Sequence, residues 1–203
     1  FFFSHYASNK HVESGYRTKW ENYDIQLRKR MPEFPFSNIW MAQQLHSMIP
    51  AGSIAHSAIL SSLSSWDYFP LPKDVRSSAN VGGFGIDGCT STLIGASLSS
   101  HELCFCITGD LAFFYDMNSL GCREIGPNLR ILLINNGLGM TFKLSNHVGS
   151  QIGPSANIFI AAEGHNAAAK SVTGNQSPAR AWAESLGFKY LSASSKEEFN
   201  AAK

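Results

Sequence analysis

The sequence has no apolar run approaching the length of a membrane-spanning helix, and nothing at its start reads as a cleavable signal. Charge is scarce: Asp, Glu, Lys and Arg make up 15% of the chain and leave a net charge of +1. That balance leaves no electrostatic footprint for nucleic acid or an anionic membrane surface. The four cysteines, Cys89, Cys104, Cys106 and Cys122, include no C-x-x-C pair. Their spacing argues against a zinc site or a disulfide framework, and points to a reducing cytoplasm. No internal repeat is visible. What remains is ordinary: 203 residues, 44% of them apolar, enough for one globular domain or one domain with an appendage. The chain opens Phe1-Phe2-Phe3 without Met, and the expectation is a piece of something longer.

The informative stretch runs from Gly109 to Gly139. An apolar run, Leu103 to Ile107, delivers Gly109-Asp110, and a second, Ile131 to Ile134, delivers Asn135-Asn136. Between Asp110 and Asn135 lie 24 residues, room for one crossover helix beginning near Ala112. Two such runs predict parallel strands, with a ligand at their carboxyl ends. Asp110 offers a carboxylate, Asn136 an amide oxygen, and the Gly137-Leu138-Gly139 turn a backbone carbonyl. Mg²⁺ accepts this hard, oxygen-only set and completes it with phosphate oxygens and water. N–H groups at the start of the helix would suit an anionic diphosphate. Taken alone, Asn-Asn-Gly after an apolar run is more often a hairpin turn than a metal site.

Around this unit the pattern predicts an α/β fold, a doubly wound and mostly parallel sheet with helices on both faces. Residues 1–36 read as a linker with a helix through Tyr16 to Glu21, packed on a neighbour or simply amphipathic, and 37–203 as the main domain. Ser37 is a good N-cap for a helix to Ile49. Ser53 to Ala55 forms a short strand with His56 and Ser57 at its end, placed by the switch-point rule to reach a ligand. Ser61 to Trp66 is a short turn or helix, Ser77 to Asn80 a weak strand, and Cys89 to Ser99 a helix. Later segments read as a helix over 157–169, a polar loop over 170–177 with the character of a lid or a connector, and a helix opened by Pro178 and closed by Gly187. Phe188 to Leu191 reads as a strand, and Ser194 or Ser195 caps a last helix.

Gly83, Gly85 and Gly88 spell G-x-G-x-x-G, the dinucleotide fingerprint. The strand before it is polar, and Glu102 comes too early to hold a ribose. The glycines read instead as a loop that passes close to a ligand.

The Gly-Asp…Asn-Asn spacing resembles the fingerprint of thiamine diphosphate enzymes. Gly109-Asp110-Leu111-Ala112 followed by an Asp-Met-Asn helix, together with Asn-x-Gly-x-x-Gly-Ile-Asp-Gly at Asn80 to Gly88, is most similar to the SEPHCHC synthases of the menaquinone pathway. The resemblance covers roughly residues 37 to 195 and implies a thiamine diphosphate-binding fold. It implies Asp110, Asn136 and Leu138 as Mg²⁺ ligands. It further implies that Ser57, Gly85, Ile86, Asp87, Gly109, Leu111, Ala112 and Gly139 line the cofactor with those ligands. Ile86 would prop the bent cofactor, and His56 joins it as a candidate for catalysis; ordinary core is the other reading of Ile86, and a structural role, the commoner one for a lone histidine, is the other reading of His56.

The function implied is that of a diphosphate-binding half, in an enzyme that decarboxylates a 2-oxo acid and transfers the acyl carbanion to an acceptor. Its activating Glu would come from a pyrimidine-binding domain, on the same longer chain or on a partner subunit, within a homodimer or homotetramer. The isolated chain is expected to be inactive. The family's usual last strand, after the terminal helix, is also missing. Two departures concern substrate. Val81 and the stretch from His56 to Ser61 stand where the synthases carry arginines, so a different acceptor is expected. The alternatives are a nicotinamide or flavin domain using Gly83, Gly85 and Gly88, and a non-catalytic module that kept the fold for assembly.

Overall fold

The computed structural model describes residues 15–164 and 177–203, in two compact units that divide after Phe34. The first unit contains helix α1, Gly15–Lys29. Arg17–Glu21 and Arg28–Asp24 ion pairs at 2.7 Å, each one turn apart, brace it. Tyr16, Trp20 and Tyr23 follow one another along it in edge-to-face contacts. The expected helix through Tyr16 to Glu21 is thus one part of a longer one.

The second unit is built on four parallel strands: β1 Ile54–Ser57, β2 Arg76–Ala79, β3 Cys104–Gly109 and β4 Leu129–Ile134. Their order across the sheet is β2-β1-β3-β4. The chain therefore moves one way from β1 to β2 and the other way from β1 to β3 and β4. The reversal leaves a crevice at the carboxyl ends of β1 and β3, where open α/β sheets bind ligands.

Cys104 and Cys106 point to one face, where they pack with Leu93 and Ile94 of helix α4, Cys89–Leu98. Ala55 and Ile107 point to the other, beside Leu63 and Trp66 of helix α3, Ser61–Trp66. Helices thus cover both faces, as the successive buried residues Cys106, Ile107 and Thr108 on β3 require. Helix α2, Asn38–Leu45, packs on α3, and Ser37 Oγ caps it by accepting the Trp40 N–H. Helix α5, Asp110–Tyr115, begins directly at the end of β3, two residues earlier than the sequence suggests.

Beyond β4 come short helices α6, Val148–Gln151, and α7, Ser155–Phe159, then α8, Pro178–Ser185, and α9, Lys196–Ala202. Two expectations are corrected here. Helix α7 stops at Phe159, and Glu163 and Gly164 lie in a turn rather than a helix; positions 165–169 lie outside the described residues, as does all of the 170–177 loop but Ser177.

Phe188 to Leu191 forms no strand and joins no ladder. The Phe188 N–H closes α8 by donating to the Ala183 carbonyl. The Phe188 and Tyr190 side chains both pack on the Phe113–Leu120–Ala179 cluster, a contact made without any strand partner. This segment and β4 both line a groove of about 2150 Å³.

Candidate functional site

Strands β3 and β4 end level, with Gly109 opposite Ile134. Asp110 and the Asn135-Asn136 pair therefore emerge side by side. Asp110 is only 2% exposed. Its Oδ2 accepts the Gly137 N–H at 2.5 Å, and its Oδ1 accepts the Leu111 N–H at 2.8 Å. Burial pushes the carboxyl above the ordinary aspartate value, and the N–H groups of Gly137 and Leu111 work against that rise.

The turn after β4 is shaped for this contact. Gly137 has φ of 80°, a conformation natural to glycine, which turns its N–H back onto Asp110. Asn136 is exposed, and its Oδ1 accepts the Leu138 N–H at 3.3 Å. Residues 161–164 brace the turn: the Gly139 N–H donates to the Ala161 carbonyl at 2.7 Å, and the Gly164 N–H to the Gly137 carbonyl at 3.1 Å. Among the described residues no donor is bonded to the Leu138 carbonyl. Leu111, where the common fingerprint has glycine, lies against the same turn. A Cβ on Gly139 would stand 3.2 Å from Leu111 Cδ1 and 3.0 Å from the Phe142 ring. The Gly-Asp-Leu and Asn-Asn-Gly segments are thus joined both by the Asp110 hydrogen bond and by packing.

The glycine-rich loop reaches the same end of the sheet. Ile86 is mostly buried and packs on Ala58, just past β1, on Cys89 of α4 and on Ala112 of α5. A Cβ on Gly85 would collide with the Asp87 carboxylate, which is exposed beside it. Phe84 at the loop's tip is 77% exposed, with φ of 54°.

His56 is placed differently from a free acid or base. It is 3% exposed, with Nδ1 2.9 Å from Ser78 Oγ and Nε2 2.5 Å from Asn80 Oδ1. The amide oxygen only accepts, so Nε2 carries the proton and the Ser78 hydroxyl donates to Nδ1 in the neutral ring. Burial holds the ring below the ordinary histidine value, and the Asn80 bond opposes it. His56 therefore ties β1 to the first residue of the glycine-rich loop. Ser57 is buried at the end of β1, and its carbonyl accepts the Asn80 N–H at 3.2 Å.

Sequence reasoning missed the His56–Asn80 pair and a second long-range link, Ser61 Oγ to Thr141 Oγ1 at 2.8 Å. The second joins the start of α3 to the 3₁₀ turn Met140–Lys143.

The arrangement tests well against a bound cation. The Asp110 carboxylate is bonded to the turn that carries the Asn136 amide and the Leu138 carbonyl, so an oxygen-only set lies on adjoining segments. Among the described residues no cluster of three or more His, Cys, Asp or Glu exists that could hold a metal. A cation here would rest on one carboxylate, neutral oxygens and its own phosphate or water ligands, the manner of Mg²⁺. Among the described residues no helix is long and apolar enough to cross a membrane.

No family model matches the chain. Curated relatives do. The chain is 34% identical over 187 residues to 2-succinyl-5-enolpyruvyl-6-hydroxy-3-cyclohexene-1-carboxylate (SEPHCHC) synthase of Bacteroides fragilis, covering 92% of this chain and 31% of the relative. The protein of the same name from Phocaeicola vulgatus is 35% identical over 187 residues, with the same coverage. That of Christiangramia forsetii is 40% identical over 114 residues, 56% of this chain and 20% of the relative. The resemblance carried by Asn80–Gly88 and Gly109–Leu138 is therefore borne out over most of the chain. The chain spans about a third of the length of the first two relatives.

Proposed function

We propose that this chain is the diphosphate-binding part of a SEPHCHC synthase-like enzyme that uses thiamine diphosphate and Mg²⁺. The observation that carries the reading is the Asp110 carboxylate bonded to Gly137 in the turn that bears Asn136 and Leu138. The three residues would hold Mg²⁺. Ser57, Gly85, Asp87, Gly109, Leu111, Ala112 and Gly139 lie on the segments that converge around them and would line the cofactor. When bound, that cofactor supplies the electron sink for decarboxylating a 2-oxo acid.

The chain's own residues bind and orient. Asp110 neutralises metal charge in a buried setting, where each charge interaction is strong. Ile86, backed by Ala58, Cys89 and Ala112, offers a firm apolar wedge against the cofactor. His56 holds Asn80 and acts through the loop. The activating carboxylate would come from a pyrimidine-binding domain, on the same chain or a partner subunit, in a homodimer or homotetramer. Val81 stands half-exposed at the mouth of the loop, and Ser61 Oγ is engaged by Thr141. Neither offers a guanidinium to a substrate carboxylate, which supports an acceptor unlike that of the synthases.

A dinucleotide at Gly83, Gly85 and Gly88 is disfavoured on a specific ground. Its pyrophosphate would need the N-terminus of α4, and there the Asp116 carboxylate already accepts the Ser91 N–H at 2.6 Å.

Calorimetric titration of thiamine diphosphate, with and without Mg²⁺ and with the pyrimidine-binding domain supplied, tests the proposal. Asp110→Asn and Asn136→Ala should each weaken Mg²⁺-dependent binding by tenfold or more, since a lost charged contact costs about 1.5–3 kcal/mol. Unchanged affinity in both variants would sink the assignment.

A further inference from the structure

Helix α4 has an N-terminus that its own sequence does not cap. Its N-cap is Gly88, in the left-handed conformation with φ of 85°, and glycine has no side chain to offer the first turn. Helices α2, α8 and α9 instead carry Ser37, Ser177 and Ser195, each accepting the N–H three residues on. For α4 the acceptor comes from a distance. Asp116 Oδ2 takes the Ser91 N–H at 2.6 Å, across 25 residues of sequence.

Asp116 is placed to do more than satisfy a donor. It is the C-cap of α5, the helix that begins with Asp110. Its own N–H donates to Phe113, and its carbonyl accepts from both the N–H and the hydroxyl of Ser119, so its backbone is fixed. The carboxylate therefore pins the start of α4 to the far end of the helix that carries the proposed metal ligand. The glycine-rich loop enters at Asn80, held by His56 and Ser57, and leaves at Gly88, one residue before α4. Ile86 sits two residues inside that exit and packs against the cluster of Ala58, Cys89 and Ala112, the last of which lies two residues past Asp110. A helix start free to fray or slide would carry Ile86 with it.

We infer that Asp116 is a positioning residue: it caps α4 from outside and thereby sets Ile86 and the glycine-rich loop in register with Asp110. The local claim stands on the hydrogen bond alone, and its consequence for cofactor affinity rests on the function proposed above.

Backbone hydrogen exchange on the purified chain, without cofactor, tests the local claim. Asp116→Ala should speed exchange at Ser91 and across 85–92 by about tenfold, the change in opening equilibrium that loss of one N-cap represents. Ser195→Ala, which removes the comparable cap of α9, should speed exchange only near Glu198. Asp116→Asn should recover much of the protection, because Asn caps about as well as Asp. It also guards against an Asp116→Ala chain that does not fold. Unchanged exchange at 85–92, or an equal rise throughout the chain in both Asp116 variants, would overturn the inference.

Thiamine diphosphate titration with Mg²⁺, again with the pyrimidine-binding domain, forms a second arm. Affinity should fall several-fold in Asp116→Ala and stay at the parent level in Ser195→Ala. A parent protein that binds no cofactor would refute the proposed function while the exchange result still decides the cap. Normal cofactor affinity in an Asp116→Ala protein with a loosened loop would refute the link from cap to cofactor.

Discussion

Truncation of Ile86 separates a wedge from a plain core residue. Its side chain is mostly buried against Ala58, Cys89 and Ala112, all three of them buried and small. Ile86→Ala removes roughly three carbons, worth about 0.8 kcal/mol each if fully buried. Because Ile86 is mostly buried, the loss is about 1.5–2 kcal/mol, which for a chain of this size lowers Tm by about 3–8 °C. Neighbours as small as Ala and Cys cannot reach far to refill the space, so little of this is recovered by collapse. Urea unfolding followed by tryptophan fluorescence reads the stability term. Thiamine diphosphate affinity should stay within a few-fold, because Asp110, Asn136 and Leu138 are untouched. Turnover of a 2-oxo acid, assayed with the pyrimidine-binding domain present, should fall by far more than affinity does. The reasoning fails if turnover is unchanged while stability drops by the roughly 2–5 kcal/mol of a full core truncation. Ile86 would then be core and nothing more.

Two further outcomes follow from the site's geometry. His56 is held below its ordinary value by burial, so the fold favours the neutral ring. As pH falls below about 6.5 the unfolded chain takes up a proton that the native chain refuses, and stability is lost until the depressed native value is passed. Urea midpoints measured from pH 7.5 to pH 5 should show this slope in the parent and a shallower one in His56→Gln; parallel curves would refute it. Gly139→Ala drives a methyl to 3.0 Å from the Phe142 ring and 3.2 Å from Leu111 Cδ1, at a cost of about 1–3 kcal/mol. A Phe142→Leu second change should return part of that stability, and a simple sum of the two single losses would count against the packing account.

The fold was legible wherever a local pattern had one physical meaning. Two apolar runs of strand length, each followed by small or oxygen-bearing residues, became β3 and β4, and the interval between them became α5 and its 3₁₀ extension. Ser37, Pro178, Gly187 and Ser195 marked helix ends because caps are read within three or four residues. The strand expected at Phe188 to Leu191 shows the limit of such reading. An aromatic, β-prone run states only a preference, and a strand exists only when a neighbour supplies its ladder. Here the Phe188 N–H closes a helix, and no strand of the sheet pairs with the segment.

The site divides along the same line. Asp110 and Asn136 were legible because the strands that deliver them are adjacent, so their sequence spacing translates directly into proximity. His56 was visible as a polar residue at a strand end, a position from which it could have faced a ligand or the sheet. What decides its role is Ser78 and Asn80, on a neighbouring strand and the loop after it, and no periodicity in the sequence announces that pairing. Asp116 left a fainter trace. A helix that starts at glycine leaves its first N–H groups seeking an acceptor, and an exposed helix would take water. Helix α4 begins beside the Ile86 cluster, where a fixed start matters to the loop before it, and a carboxylate from the end of α5 supplies the bond. The need for a cap could therefore be read at Gly88, whereas the residue that meets it depended on two helices lying side by side on one face of the sheet.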